Sequence, residues 1–288
     1  MNSFSKGALY VVATPIGNLD DLSRRAMDTL AQADLIAAED TRHSVRLLDH
    51  IGVRVPLISL HEHNETSRIE RIRQALDAGQ QVALISDAGT PLISDPGYRL
   101  VQALRSADYT IIPVPGPSAL IAALSAAGLP TERFLFEGFL PAKGAGRRQR
   151  LSDVVDLPVT LVLYESPHRI RQLLEDIETV CGERHVVIAR ELTKTFETFL
   201  QGSARSLLER MADDADQMRG EFVVMLAPPP PKELADSGQV DGDQLLSSLL
   251  EEGVGVKQAA GVAARLLGGR KGDWYQRAQT LKDGDVRK

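Results

Sequence analysis

The chain has 288 residues, of which 43% are hydrophobic and 25% charged, a composition typical of globular proteins. This length suffices for two domains with sizeable cores. The formal net charge of −6 argues weakly against a nucleic-acid partner, although local charge can differ from the total. The single cysteine, Cys181, excludes an intramolecular disulfide and any site built from several cysteines.

Neither a membrane span nor a metal site is expected. No apolar run approaches the roughly 20 residues that a helix needs to cross a bilayer. Met1–Gly7 lacks the apolar core of a signal peptide, so we expect a cytoplasmic enzyme without a membrane partner. His61 and His63 flank Glu62 and could be two metal ligands, but polar loop chemistry explains such a cluster more often, and we expect no metal.

Strand and helix patterns alternate over residues 1–128. Short apolar runs predict strands at 9–13, 34–38, 55–60, 82–85 and 109–114. Helical patterns follow them at 20–31, 41–51, 66–78, 98–104 and 118–127. This alternation predicts an α/β domain with a mostly parallel sheet and helices on both faces.

A break at Gly128–Thr131 predicts the start of a second α/β domain over residues 129–228. Strand patterns are more frequent here, at 134–139, 159–164, 186–189, 196–200 and 221–227. Helical patterns lie between them at 145–155, 167–180 and 204–212. Because strand patterns are more frequent here than in the first domain, this domain is expected to have a mixed sheet.

Residues 229–243 predict a linker, because this proline-rich and acidic segment cannot form a packed core. Helices at 244–252, 256–267 and 272–281 then predict a small helical module over 244–288. From Leu245 to Lys288 there are 8 Lys or Arg and 5 Asp or Glu, a net charge of +3. Three short helices with a basic balance resemble a helix-turn-helix unit; a helical appendage with a solvated charged face is an equally good interpretation.

The loop Ile85–Gly97 is the most informative segment of the chain. It follows the apolar run Val82–Ile85 and holds two glycines, two prolines and two aspartates before a new helix. Small ligands bind at the carboxyl edge of open α/β sheets. The pattern of a phosphate loop is absent, and two aspartates would repel phosphate. The loop therefore favours a ligand with hydroxyl groups and a cationic or neutral body.

Four further loops follow predicted strands in the same way. They span residues 13–21, 38–43, 114–119 and 164–169. Ser118 could cap the helix after the third loop, and Ser166 could cap a helix that begins at Pro167. Each loop has an explanation as ordinary turn chemistry, but their shared position at the ends of strands favours a common functional site.

Charged residues cluster at or just after the ends of the predicted strands. They are Glu39, Asp40, Arg42, Glu165, Arg169, Arg190, Glu191 and Lys194. Ion pairs among them are the simpler interpretation, and for Arg42 with Asp40 it is the better one. The segment Lys143–Arg150 has four cations and two glycines in eight residues. It predicts either a mobile basic loop that grips phosphates or the solvated start of the next helix.

The order of these motifs resembles the tetrapyrrole-methylase superfamily, the class III S-adenosylmethionine-dependent methyltransferases. The motifs that carry the resemblance are Thr14-Pro-Ile-Gly-Asn-Leu19, Ala38-Glu-Asp-Thr-Arg42, Ser86-Asp-Ala-Gly-Thr-Pro91, Pro115-Gly-Pro-Ser-Ala119, Glu137-Gly-Phe-Leu-Pro-Ala-Lys143, Tyr164-Glu-Ser-Pro-His-Arg169, Arg190-Glu-Leu-Thr-Lys-Thr195 and Val256-Lys-Gln-Ala-Ala260. The match is closest to the branch that methylates the ribose 2′-oxygen of a cytidine in the decoding region of 16S rRNA. The resemblance implies two α/β domains with the cofactor in the cleft between them, and a homodimer.

The resemblance also implies the residues that bind S-adenosylmethionine. Those expected to line or contact the cofactor are Pro15, Asp87, Ala88, Gly89, Thr90, Ser118, Ala119 and Tyr164. The loop Ser86–Thr90 would offer backbone groups to the amino-acid part of the cofactor, with Asp87 favouring its positive charge. Relatives that act on tetrapyrroles carry Gly-Asp-Pro where this chain has Asp87-Ala-Gly-Thr-Pro91, a departure that favours the rRNA branch.

Methyl transfer to a ribose hydroxyl requires close placement of the oxygen and help with its proton. Candidate bases are Glu191 and Glu165, and Lys194 would stabilise a developing alkoxide or hold a phosphate. The expected partner is 16S rRNA within the small ribosomal subunit, and the residues expected to contact it are Arg42, Lys143, Arg147, Arg148 and Arg150.

Two alternatives stay open from the sequence. One is a methyltransferase that acts on a tetrapyrrole or another small molecule. The basic segment and the basic helical module speak against it, because a small substrate needs neither. The other is an RNA-binding protein that carries a cofactor site without turnover. A methyl-transfer assay separates all three.

Overall fold

The computed structural model describes residues 7–61, 63–230 and 242–285. The chain divides into two compact units, one that ends at Pro229 and one that begins at Pro230. The first unit contains two five-stranded sheets. Most of the linker predicted at 229–243 lies outside the described residues. No helix among the described residues is both long enough and apolar enough to pass through a membrane.

The first sheet, predicted to be mostly parallel, is parallel throughout. Its strands are β1 (Ala8–Val12), β2 (Leu35–Ala38), β3 (Leu57–Ser59), β4 (Val82–Ile85) and β5 (Thr110–Val114). They lie in the order β3-β2-β4-β1-β5. The central strands β2 and β4 are buried at every position, because a parallel sheet is covered by helices on both faces.

Five helices alternate with the strands of the first sheet. They are α1 (Arg24–Gln32), α2 (Thr41–His50), α3 (Glu65–Asp77), α4 (Tyr98–Ser106) and α5 (Ala119–Ala126). Apolar residues of α1 and α2 pack with one face of the sheet, and those of α3 and α4 pack with the other. The carboxyl ends of all five parallel strands therefore share one edge, where the loops predicted to carry function emerge.

The second sheet is mixed, again as predicted. Its strands are β6 (Phe134–Phe139), β7 (Thr160–Glu165), β8 (His185–Arg190), β9 (Thr198–Ser203) and β10 (Phe222–Leu226). The order is β6-β7-β10-β8-β9, with β6 parallel to β7 and the other pairs antiparallel. The α/β fold class with two sheets is thus confirmed.

The two faces of the second sheet have different partners. One face packs against α6 (Gly144–Val154), α7 (Ile170–Cys181) and α8 (Ala204–Asp213). The other face packs against α5 and Ile16 of the first half, residues 7–128, which holds the first sheet. Val162, Ala189 and Met225 of the second half, residues 129–228, belong to this shared core. Because the halves share a core, loops from both sheets converge within one compact unit.

The second compact unit contains three helices among its described residues. They are α9 (Gly242–Glu251), α10 (Val256–Leu267) and α11 (Lys271–Asp285). Their core combines Leu246 with the small residues Ala259, Ala263 and Ala278, which let helices approach closely. The helical C-terminal region expected from the sequence is confirmed.

Of the helix starts predicted at two serines, the one at Ser118 is confirmed in position and the one at Ser166 is wrong. Ser118 precedes α5, but its side chain makes no capping hydrogen bond; instead Tyr164 Oη accepts the N–H of Leu120 at 2.9 Å. Helix α7 begins at Ile170 rather than at Pro167, so the prediction at Ser166 was wrong by three residues. The backbone carbonyl of Ser166 accepts the N–H groups of Arg169 and Ile170, which closes a turn before the helix.

Candidate active site

A cavity of about 400 Å³ lies within the first compact unit, a volume in the usual range for small-ligand sites. The first half contributes the loops that follow β1, β2, β4 and β5. The second half contributes the ends of β6 and β7, the start of β10 and the segment after β8. Because the lining comes from both halves of this unit, the cavity depends on the packing of the two sheets against each other.

The loop after β4 is held by backbone hydrogen bonds to its neighbours. Thr14 N–H donates to the carbonyl of Gly89 at 2.9 Å, and Gly89 N–H donates to the carbonyl of Thr14 at 3.1 Å. Thr14 Oγ1 also donates to the carbonyl of Ser86 at 3.2 Å, and Thr90 Oγ1 donates to that of Pro117 at 3.0 Å. The loops after β1, β4 and β5 therefore form one connected floor of the cavity.

Seven of the eight residues predicted to contact a cofactor line this cavity. They are Asp87, Ala88, Gly89, Thr90, Ser118, Ala119 and Tyr164. Among the described residues, the lining includes Ile16 but not its neighbour Pro15. Ile93, Asp95 and Phe139 also line the cavity and were not predicted from the sequence. The only signal for Asp95 was a second aspartate in the Ile85–Gly97 loop.

Tyr164 joins the two halves at the cavity wall. Its hydroxyl accepts the N–H of Leu120, which is one of the N-terminal N–H groups of α5 without a partner inside the helix. Its ring packs edge-on against Phe136, with the ring centres 4.8 Å apart, and against Phe139 at 5.7 Å. Burial raises the pKa of the Tyr164 phenol. The residue therefore remains neutral and positions both sheets around the cavity.

Three carboxyl groups of the first half line the cavity: Glu39, Asp87 and Asp95. Burial raises the pKa of Asp95 to about 6, and the charge of Asp87 acts in the same direction. Burial, followed by the charges of Asp95 and Asp87, raises the pKa of Glu39. Asp87 Oδ1 accepts the backbone N–H of Asp40 at 3.0 Å, which holds the loops after β2 and β4 together. This wall favours a positively charged ligand and disfavours an anion.

Glu165, a predicted base, lines the cavity but its carboxylate is engaged. The side chain is buried, and Oε1 accepts the backbone N–H of Ser166 at 2.8 Å. The other oxygen accepts no hydrogen bond but forms an ion pair with Arg169, whose Nη2 lies 3.2 Å away and donates to the carbonyl of Leu140 at 2.6 Å. This arrangement gives Glu165 a role in holding the turn after β7.

Glu191 and Lys194, the other predicted catalytic pair, bind each other. Lys194 Nζ lies 2.9 Å from Glu191 Oε1 and 2.8 Å from Glu221 Oε2. Glu191 Oε1 also accepts the backbone N–H of Glu221 at 2.9 Å. Burial raises the pKa of Glu191, but these hydrogen bonds outweigh it and leave the pKa below its usual value. The described lining of the cavity includes Leu192 and Glu221 but neither Glu191 nor Lys194. The geometry therefore does not support Glu191 as a base.

The segment after β8 has an unusual backbone. Glu191 and Thr193 have positive φ angles of 51° and 65°, a conformation that costs non-glycine residues energy. Thr193 Oγ1 accepts the N–H of Asn18 at 3.1 Å. A Cβ on Gly17 would lie 2.5 Å from Lys194 Cγ, so only glycine allows this approach. The segment is thereby locked to the loop after β1, and Leu192 is directed to the cavity.

Arg42, predicted to bind RNA, forms the ion pair that the sequence favoured. Its Nη2 lies 2.7 Å from Asp40 Oδ2, and its Nε lies 3.1 Å from Oδ1. The hydrogen bonds from Arg42 lower the pKa of Asp40 to about 2. The arginine side chain is 90% exposed, so contact with another molecule stays a prediction.

Of the two predictions for Lys143–Arg150, the start of a helix is confirmed and the mobile basic loop is wrong, because residues from Gly144 onward form the first turns of α6. Arg147 is buried, and its Nε lies 2.6 Å from Asp176 Oδ2 on α7. Arg148 Nη1 lies 2.9 Å from the other oxygen of Asp176. Burial excludes Arg147 from a phosphate contact in this conformation, because its guanidinium group joins two helices.

Arg150 and Lys143 lie on the outside of the same helix region. Arg150 forms two hydrogen bonds to Glu137, at 2.6 and 2.8 Å, and its side chain remains about half exposed. Lys143 precedes α6 and is exposed. A contact of Lys143, Arg148 and Arg150 with RNA stays a prediction. Within the described ranges, no group of three or more potential metal ligands comes together.

Two family models match the chain. The model described as "Tetrapyrrole (Corrin/Porphyrin) Methylases" matches residues 8–208, and that described as "RsmI C-terminal HTH domain" matches residues 236–282. Solved structures agree with the fold at low sequence identity. Diphthine synthase has a TM-score of 0.60 at 14% identity and covers 77% of this chain and 90% of its own. Cobalt precorrin-4 methyltransferase has a TM-score of 0.59 at 16% identity and covers 79% and 97%.

Curated proteins are similar over nearly the whole length. The protein from Pseudomonas aeruginosa named "Ribosomal RNA small subunit methyltransferase I" is 52% identical over 275 residues, covering 95% of this chain and 97% of its own. The protein of the same name from Escherichia coli O157:H7 is 48% identical and covers 95% of each chain. The chain belongs to the tetrapyrrole methylase family and, within it, to the ribosomal RNA small subunit methyltransferase I group.

Proposed function

We propose that this protein transfers a methyl group from S-adenosylmethionine to the ribose 2′-oxygen of a cytidine in the decoding region of 16S rRNA. The names of the relatives support rRNA as the substrate. The resemblance of the sequence motifs to the rRNA branch of the tetrapyrrole-methylase superfamily supports the position of the methyl group. The proposal includes action in the cytoplasm on the small ribosomal subunit, and a homodimer. The observation that carries it is the cavity of about 400 Å³ whose wall bears three carboxyl groups.

The residues of the cavity fit this cofactor. S-adenosylmethionine combines a positively charged sulfonium with an amino acid and an adenosine. Glu39, Asp87 and Asp95 provide negative charge on one wall, and the loop Ala88–Thr90 brings backbone groups to the surface of the cavity. Ile16 and Leu192 provide apolar contact area on the lining. When bound, the cofactor supplies an electrophilic methyl group on sulfur.

The chain must orient the hydroxyl of the acceptor and remove its proton. A general base works best with a pKa near the working pH, and it must face the reacting group. Asp95 lines the cavity, and its pKa is raised to about 6. We assign the proton acceptor to Asp95 in place of Glu191, whose carboxylate is held by Lys194 and Glu221. Glu165 and Lys194 then hold the turn after β7 and the segment after β8.

The acceptor RNA requires positive surface outside the acidic cavity. Lys143, Arg148, Arg150 and Arg42 are the candidates that remain exposed or half exposed. The basic balance of residues 245–288 adds a second positive region. The match of this region to a helix-turn-helix model supports a nucleic-acid contact.

The test is a methyl-transfer assay with radiolabelled S-adenosylmethionine. Unmethylated small ribosomal subunits, free 16S rRNA and a tetrapyrrole serve as acceptors, and the methylated nucleotide is mapped. We expect label at a cytidine 2′-oxygen in rRNA. Label only in the tetrapyrrole would overturn the substrate, and cofactor and RNA binding without transfer would favour a non-catalytic binding protein.

A pair of variants tests whether the cavity binds the cofactor. Asp87→Asn keeps the hydrogen bond to Asp40 N–H but removes the charge from the wall, so we expect weaker binding of S-adenosylmethionine in calorimetry, by about tenfold. Asp28→Asn removes an exposed charge on α1 and should leave binding unchanged. Equal affinities for the two variants would remove Asp87 from the proposed cofactor site.

A further inference from the structure

A β-bulge in the edge strand β6 determines where the ring of Phe139 points. Phe136 pairs with Val162 and Gly138 with Leu163, so Glu137 is an extra residue between them. With regular alternation, Phe136 and Phe139 would lie on opposite faces of the sheet. The bulge places Phe139 opposite Tyr164, on the face that carries Phe136 and the shared core. Bulges of this kind redirect side chains next to active sites.

Glycine at position 138 makes this arrangement possible. Gly138 has a positive φ of 61°, which glycine adopts without steric cost. A Cβ at this position would lie 2.8 Å from Ser94 Oγ, so the strand lies directly against the Leu92–Gly97 part of the first-half loop. Leu92 and Ser94 themselves have positive φ angles of 74° and 69°. A strained segment of the first-half loop thus meets the bulge of β6 where Phe139 lines the cavity.

The ring of Phe139 is supported from one side and accessible from another. Its centre lies 5.7 Å from that of Tyr164 at an angle of 63° between the planes. The residue nevertheless remains 54% exposed while lining the cavity. A single exposed apolar residue needs no explanation; here the bulge, the glycine and the aromatic support all direct one ring to the rim of a cavity.

We propose that Phe139 stacks against the nucleobase of the acceptor nucleotide and so positions its ribose for methyl transfer. This inference rests on the proposed function, because it requires an RNA acceptor. Unpaired RNA bases are recognised by stacking on aromatic side chains, and such stacking is sequence-tolerant. The exposed Lys143 follows Phe139 by four residues and offers a cation to the phosphate of the same strand.

The adenine of the cofactor is the other flat ring that this side chain could contact, and the test separates the two. Phe139→Leu keeps much of the apolar volume without the ring, and Phe139→Tyr keeps the ring. Phe134→Leu is the matched control, because Phe134 lies on the same strand, is 41% exposed and is not part of the described cavity lining. Methyl transfer is measured against the concentration of unmethylated small subunits, and affinity for S-adenosylmethionine is measured by calorimetry.

We expect Phe139→Leu to raise the KM for the small subunit by about tenfold or more, with unchanged cofactor affinity. Phe139→Tyr and Phe134→Leu should behave like the wild type. An unchanged KM for Phe139→Leu overturns the inference, and so does a loss confined to cofactor affinity, which would assign the ring to adenine. If the wild type transfers no methyl group to rRNA, the proposed function itself fails. That result is seen without any variant, so it is distinct from a failure of the stacking inference.

Discussion

The two sheets build the same cavity in different ways. The first sheet contributes loops that follow parallel strands, and these converge because the carboxyl ends of such strands share one edge. The second sheet is mixed, so its contributions come from single features: a bulge in β6, the turn after β7 and the strained segment after β8. The contribution of the parallel sheet to the site can therefore be predicted from local sequence, whereas that of the mixed sheet depends on strand pairing and packing.

The difference extends to charged residues. In the first half, Glu39, Asp87 and Asp95 line the cavity and remain available to a ligand. In the second half, Glu165, Glu191 and Arg147 are engaged by neighbouring groups. These three carboxyl groups of the first half thus face the cavity, whereas these three charged groups of the second half support the fold.

The largest expected effect tests the supporting role of charge in the second half. Asp176→Ala leaves Arg147 buried without its principal partner, so we expect the free energy of unfolding to fall by about 3–5 kcal/mol, measured by urea denaturation. Asp28→Ala removes the exposed partner of Arg24 and should cost less than about 1 kcal/mol. Similar losses for the two variants would contradict an internal role for Arg147.

The next prediction tests the availability of carboxylates in the first half. Because the pKa of Asp95 is about 6, its ionised fraction rises between pH 5 and pH 7, and only the ionised form can accept a proton. The transfer rate at saturating substrates should therefore increase about tenfold over this interval and then level off.

Asp95→Asn should lower the transfer rate by about a hundredfold and abolish this rise, while calorimetry still detects the cofactor. Glu191→Gln serves as the comparison, because it changes a carboxylate that supports the segment after β8. If the wild-type rise persists in Asp95→Asn and disappears in Glu191→Gln, the assignment of the base returns to Glu191.

The smallest predicted effect concerns the contact between the sheets. Gly128→Ala and Gly138→Ala both place a Cβ at positive φ, at 67° and 61°, which costs about 1–2 kcal/mol. A Cβ at Gly128 meets no atom within 4 Å, whereas one at Gly138 meets Ser94 Oγ. We expect Gly138→Ala to lose about 1 kcal/mol more in urea denaturation and to raise the KM for the small subunit. Equal stability and equal KM would show that the close approach to Ser94 is unimportant.

Much of the first half was predictable because its signals are local. Gly89 and Pro91 mark the loop that follows β4. Buried strands that alternate with amphipathic helices indicate a parallel sheet. That topology predicted a ligand site in the loop Ile85–Gly97, and the family resemblance implied Asp87–Thr90 within it. The contact predicted for Arg147 failed for a physical reason, because its partner Asp176 lies 29 residues away on another helix. Glycines at 144 and 146 left a loop and a helix start equally open, and tertiary packing stabilises the helix.

The sequence by itself determined the α/β class, the mixed character of the second sheet, the helical C-terminal region and the family. All four depend on periodicity and motif order, which are properties of the sequence itself. Only the tertiary structure decided which charged groups face the cavity and which pair with each other, since that depends on contacts between residues distant in the chain. It also decided the direction of Phe139, because one extra residue at Glu137 reverses the face of the strand.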